Sequence, residues 1–162
     1  MSKSRWLVIL GLLVLAVQPG FADDSAKVIG IWKLLSYDAE SEATGAKEPV
    51  MGQNPTGYAI FTPEGRVMFV LTGEGRKAPK TVQDRAELLN TLIAYTGTYR
   101  VEGDTWITKV DVAWNPEWVG TEQRRSFTVV GDRLQVVTPP GVRPNWPEKG
   151  VMRSRLTFER MK

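Results

Sequence analysis

Three times in this chain an apolar run meets a tight glycine-containing turn and continues as a second apolar run. Ile60-Phe61-Thr62-Pro63-Glu64-Gly65-Arg66-Val67-Met68-Phe69 is the first instance. Tyr99-Arg100-Val101-Glu102-Gly103-Asp104-Thr105-Trp106-Ile107 is the second, and Phe127-Thr128-Val129-Val130-Gly131-Asp132-Arg133-Leu134 is the third. Glycine supplies the positive φ that such turns require, and the flanks are β-branched and aromatic, as paired strands are. Neighbouring hairpins of this kind make an antiparallel meander. A long sheet has two costly edges unless it closes. Closure of about eight strands leaves an interior that side chains fill or that holds one small ligand. A two-layer sandwich is the competing arrangement, but it needs longer crossings than the tight connections found here.

Strands are expected over residues 29–38, 47–51, 57–62, 66–72, 96–102, 105–113, 121–130, 133–138 and 151–160. One helix interrupts them over residues 81–93. Thr81 is its candidate cap, and Val82, Leu88, Leu89, Leu92 and Ile93 supply an apolar stripe that predicts packing on the core or over a barrel end. The fold class is therefore all-β: a closed antiparallel barrel, a meander of 8–10 strands with one inserted helix. No segment has the composition of a linker, so residues 23–162 read as one domain.

The first 22 residues read differently. Lys3 and Arg5 form a basic lead, Trp6 to Val17 is apolar throughout, Pro19 breaks the run, and Gly20-Phe21-Ala22 offers small residues for cleavage. That pattern predicts a secretory signal peptide over residues 1–22. An uncleaved anchor is the alternative, though a membrane-crossing helix needs about 20 apolar residues. No later segment is apolar enough to span a bilayer. The chain has no cysteine, which excludes disulfides and lipid attachment at a cysteine. No Asn-x-Ser/Thr acceptor is present either. Both absences fit a bacterial periplasm or exterior, so an exported protein is expected. Loss of Lys3 and Arg5 with the leader takes the net charge from +3 to +1. The basic residues are scattered, and Arg124 and Arg125 point to opposite faces of one strand, so no nucleic-acid footprint is expected.

Strand phase then selects the side chains that face inward. Gln123 and Arg125 share a face with Phe127 and Val129; Ser154 and Arg160 share one with Met152, Leu156 and Phe158; Thr138 follows Leu134 and Val136. Polar groups on an apolar face need partners, because an unpaired buried one costs about 1–3 kcal/mol. Gln123 and Arg125 are the leading candidates for ligand contact. Arg125 has the chemistry to hold a carboxylate or polarise a carbonyl, with Gln123 orienting it; internal pairing is the alternative. Tyr58 and Tyr99 either present hydroxyls to a pocket or pack in the core with a wet tip. Trp114 and Trp118 flank the Asn115-Pro116 turn and either line a barrel mouth or anchor the loop. Lys109 and Asp111 read as a solvated outer pair. Gly73-Glu74-Gly75-Arg76 lacks the strand–loop–helix context of a phosphate-binding loop. The chain has no histidine and no cysteine, which leaves no thiol nucleophile, no Ser-His-Asp triad and no usual zinc or haem ligands. No metal and no cofactor is expected.

Gly30-Ile31-Trp32 at the head of the first strand resembles the short signature of lipocalins. In those proteins an arginine on or after the last strand packs across the tryptophan ring. Arg160 occupies that place here, so Gly30, Trp32 and Arg160 form the candidate structural signature. A guanidinium over an indole is worth roughly 0.5–2 kcal/mol. The wider pattern resembles the compact lipocalin-like domain family of bacteria and fungi. It is carried by Gly57-Tyr58, Thr62-Pro63-Glu64-Gly65-Arg66, Tyr95-Thr96-Gly97-Thr98-Tyr99, Asn115 to Arg125, and Gly131-Asp132-Arg133-Leu134, in order. Such domains often carry histidine near the position of Thr108-Lys109, and no role of that residue transfers to this chain. The resemblance implies a lipocalin-like barrel binding a small hydrophobic or amphipathic molecule. Two other functions share the scaffold: an isomerase- or cyclase-type enzyme using proton transfer, and a cell-envelope interaction module with a filled barrel and an apolar patch near Trp118 or Trp146. Nothing in the sequence fixes an oligomeric state.

Overall fold

Alternation of apolar and polar side chains carries through into one sheet of ten strands. The computed structural model describes residues 25–162, so the leader expected over residues 1–22 lies outside the described residues. In chain order the first five strands are β1 (Gly30–Ser41), β2 (Lys47–Glu48), β3 (Thr56–Phe61), β4 (Arg66–Thr72) and β5 (Leu92–Glu102). They are followed by β6 (Thr105–Ala113), β7 (Glu122–Val130), β8 (Arg133–Val137), β9 (Gly141–Val142) and β10 (Val151–Arg160). The α-helices among the described residues are α1 (Ser25–Val28) and α2 (Val82–Asn90).

The long strands pair as neighbours along the chain, and β10 returns to β1, with partners running from Trp32↔Arg160 to Ser41↔Met152. Eight strands thus close into an antiparallel barrel, which excludes the sandwich. The short strands β2 and β9 only extend the rim beside β1 and β10. At one bulge, between Thr96 and Gly97, β5 and β6 approach so closely that a Cβ on Gly97 would lie 2.0 Å from the Lys109 carbonyl oxygen. Only glycine permits that contact.

The helix begins where its cap predicts. Thr81 Oγ1 accepts from the Asp84 N–H at 3.0 Å, and the Asp84 carboxylate accepts from the Thr81 N–H at 3.0 Å, a complete capping box. Its far end and its stripe depart from expectation. α2 stops at Asn90, and Leu92 and Ile93 instead open β5, where Ile93 and Tyr95 point inward opposite Leu71 and Phe69. The alternation Leu92-Ile93-Ala94-Tyr95 satisfies a strand better than it satisfies a helix. No residue of α2 is buried, and Val82 is 79% exposed, so the stripe does not pack on the core.

The two ends of the barrel differ. One carries α1 and the tight turns around Gly65, Gly103 and Gly131. There the Trp32 ring is fully buried and its Nε1 donates to the Val28 carbonyl at 2.7 Å. The Arg160 guanidinium lies 4.0 Å above that ring and donates to the carbonyls of Ile29 (2.6 Å) and Lys27 (2.9 Å). Gly30, at φ +129°, leaves the space that the guanidinium enters: a Cβ there would meet Arg160 Nη1 at 2.9 Å. Above this seal Phe61 packs edge-on against Tyr99, Trp106 and Phe69, with ring centroids 5.0–5.8 Å apart. This half of the barrel is solid.

Gly30→Ala combines a forced left-handed backbone with that clash and is expected to lower unfolding free energy by roughly 1–3 kcal/mol. Urea unfolding of Gly30→Ala, Arg160→Ala and the double variant checks it. The double variant loses less than the sum of the two, because Arg160→Ala removes the clashing atom.

Candidate functional site

The opposite end of the barrel gathers the long connections at residues 73–91, 114–121 and 138–150. The strand halves that run towards them mix apolar and aromatic inward residues with polar ones, and there the interior is hollow. A cavity of about 40 Å³ lies between Trp106 at its floor and Trp118, Pro144 and Asn145 at its rim. A water needs about 10–15 Å³ of such space, so this volume takes a compact group. Phe69, Leu71, Ile93, Val136 and Leu156 form its apolar wall.

One side of the wall is a hydrogen-bonded polar chain. Tyr37 donates its hydroxyl to Ser154 Oγ at 3.0 Å, and the Ser154 N–H donates to Thr138 Oγ1 at 2.8 Å. Arg143 donates through Nη2 to Thr138 Oγ1 and to the carbonyls of Pro139 and Met152. Its Nε is buried and has no hydrogen-bond partner among the described residues. Burial pushes the Arg143 pKa down, and the positive charge of Arg125 adds to that effect. Arg125 enters from β7. It donates through Nη2 to Gln123 Oε1 at 3.0 Å and through Nη1 to the Arg124 carbonyl at 2.7 Å. Burial raises the pKa of the Tyr37 and Tyr95 phenols; the hydrogen bond to Ser154 opposes this for Tyr37, and the charge of Arg125 opposes it for both. No aspartate or glutamate lines the cavity among the described residues.

A strap covers the mouth. Asn145 Nδ2 donates to the carbonyls of Leu89 (3.1 Å), Asn90 (3.2 Å) and Leu92 (3.1 Å), tying the 138–150 connection to the end of α2. Trp146 is buried edge-on against Tyr37, with ring centroids 5.7 Å apart. That burial removes Trp146 from any exposed patch.

Of the residues singled out by phase, Arg125 and Trp118 line the cavity. Gln123 does not; it holds the Arg125 guanidinium and donates to Thr121 Oγ1 at 3.1 Å. Tyr58 is corrected outright. Ala59 and Phe61 take the inward phase of β3, which leaves Tyr58 outside and 43% exposed. Tyr99 sits at the sealed end, where its hydroxyl donates to the Thr62 carbonyl at 3.1 Å and its ring meets Phe61. Trp114 packs edge-on against Trp118 behind the rim, at 6.0 Å. Lys109 and Asp111 are exposed, and Asp111 pairs with Arg66 at 2.5 Å. Thr108 is fully buried on the inner face of β6.

Sequence reasoning missed Tyr37, Tyr95, Asn145 and Arg143 as cavity residues. Inward phase on β1 and β5 was signal enough for the two tyrosines. Arg143 and Asn145 lie in an irregular, proline-rich connection where no periodicity applies.

A family model described as a lipocalin-like domain matches residues 29–161. No curated protein matches the chain.

Raised folded-state values for Tyr37 and Tyr95 mean that their protonated phenols stabilise the native state fully below about pH 10. That contribution is lost as pH rises through the folded-state values. Absorbance titration of phenolate formation is expected to show Tyr37 and Tyr95 ionising only as the fold opens. Tyr37→Phe and Tyr95→Phe each remove one ionisation from that late step.

Proposed function

The chain belongs to the lipocalin-like domain family, and from that premise we propose that it is an exported protein binding one small hydrophobic or amphipathic molecule in the hollow half of its barrel. The observation that carries this reading is the division of the interior. Aromatic rings fill the sealed end, whereas the other end keeps a cavity with an apolar wall and a built polar side. Sites of this composition bind small molecules: apolar surface supplies affinity and a few fixed polar groups supply orientation. Polar groups placed on an inward barrel face are costly to a domain that needs only stability. A proton-transfer enzyme on the same scaffold finds no carboxylate base among the lining residues, so binding is the better reading.

Export follows from the leader at residues 1–22. A protein recovered from the cell envelope or medium is expected to begin at Asp23, as read by intact mass. Among the described residues no helix is long and apolar enough to cross a membrane.

Ile93, in the cavity wall, gives a direct test of occupancy. A solvatochromic apolar dye is expected to bind the mature protein at one site with a blue-shifted emission. Ile93→Trp fills the cavity and is expected to weaken the dye at least about tenfold while the fold persists, since overpacking costs roughly 1–3 kcal/mol. A wild-type protein that binds neither the dye nor any compound of a broad apolar panel overturns the reading.

A further inference from the structure

Arginines on the outer wall of this barrel all behave alike, and the two in the cavity do not. Arg66 pairs with Asp111, Arg100 with Glu102 and Glu122, Arg124 with Glu102, Arg133 with Glu159, Arg153 with Glu42 and Arg155 with Glu40. Arg125 and Arg143 have no carboxylate partner among the described residues; their hydrogen bonds go to an amide, a hydroxyl and carbonyl oxygens. The contrast is sharpest between neighbours, since Arg124 and Arg125 differ only in which face of β7 they occupy.

Two like charges line one small, aromatic-walled cavity with no counter-charge in it. Guanidinium groups keep their charge in proteins, so both are cations. Leaving them unpaired in a partly desolvated site is unfavourable. Folding alone gives no reason for the arrangement, because Arg125→apolar would relieve it. An arriving anion removes the imbalance. Arg143 Nε is buried and unpartnered, and Arg125 meets only neutral partners, the Tyr95 phenol, the Gln123 amide and the Arg124 carbonyl. Guanidinium groups present parallel donors that match a planar carboxylate. The remaining space is compact and walled by Phe69, Tyr95 and Trp118, with Phe69 and Tyr95 stacked at 4.8 Å. That wall suits a short ring-bearing body better than an extended acyl chain.

We propose that the ligand of this barrel is a compact carboxylic acid, bound as its anion between Arg125 and Arg143 with its apolar body against Phe69, Tyr95 and Trp118. Gln123 is a positioning residue: it accepts from Arg125 and holds the guanidinium over the cavity. The proposal rests on the small-molecule-binding reading and narrows it to one chemical class.

The test uses matched single-ring probes on the mature protein by calorimetry: benzoate, benzamide and phenyl phosphate, with the apolar dye as reference. The carboxylate is expected to bind about 10- to 100-fold more tightly than the amide, the range of a charge-assisted contact, and to weaken with added salt. Arg125→Gln brings acid and amide to the same affinity, and Arg125→Lys restores part of the difference. Equal affinity for acid and amide in the wild type, with the dye still bound, overturns the anion class and leaves the binding function standing. Tighter binding of the phosphate than of the carboxylate likewise overturns the carboxylate. Failure of dye and all three probes removes both the class and the function. The wild-type comparison decides the matter even if a variant does not fold.

Discussion

Closure of β10 on β1 is the contact on which everything else in this molecule depends. It turns an open meander with two reactive edges into a cylinder whose backbone groups are paired all round. The closure is pinned at its end by side chains as well as by the ladder. Trp32 and Arg160 are direct partners in the register, and the guanidinium over the indole also reaches back to the carbonyls of Lys27 and Ile29. One side chain therefore joins the last strand, the first strand and α1. Gly30 belongs to the same device, since any larger residue would displace the cation. Ion pairs such as the part-buried Glu40–Arg155 and the more exposed Glu42–Arg153 decorate this seam from outside, and the exposed one contributes little.

Sealing one end leaves the other free to do something else. Below the level of Trp106 the barrel is filled with interlocked rings; above it polar side chains join the inward face, and the interior opens. The polar chain from Tyr37 through Ser154 and Thr138 to Arg143 runs across β1, β10 and the connection that follows β8. Three separate stretches of sequence thus meet in one wall. The strap at residues 138–150 belongs to both parts of the design, since Arg143 faces the cavity while Asn145 and Trp146 fasten the connection to α2 and Tyr37. One connection thus supplies both part of the binding site and its cover.

Strand positions, the tight turns and the helix start at Thr81 were legible because each is written locally: alternation, a glycine at a positive-φ position, a cap three residues before Asp84. The end of α2 was not, because Leu92 and Ile93 fit both a helical stripe and an alternating strand, and only their pairing with Thr72 and Leu71 decides between them. Tyr58 shows a different limit. The phase of β3 depends on which residues of a short strand face in, and Ala59 with Phe61 wins over Tyr58 through packing against the opposite wall.

The amino-acid sequence by itself determined a closed antiparallel meander, its family, and the inward phase of Arg125, since these follow from periodicity and from short spacings along the chain. Tertiary structure alone decided that one half of the barrel is solid and the other hollow, and that Arg143 joins Arg125 there without a carboxylate. The reason is that cavity volume and charge pairing are sums over residues far apart in the chain, and no local pattern records what stands opposite.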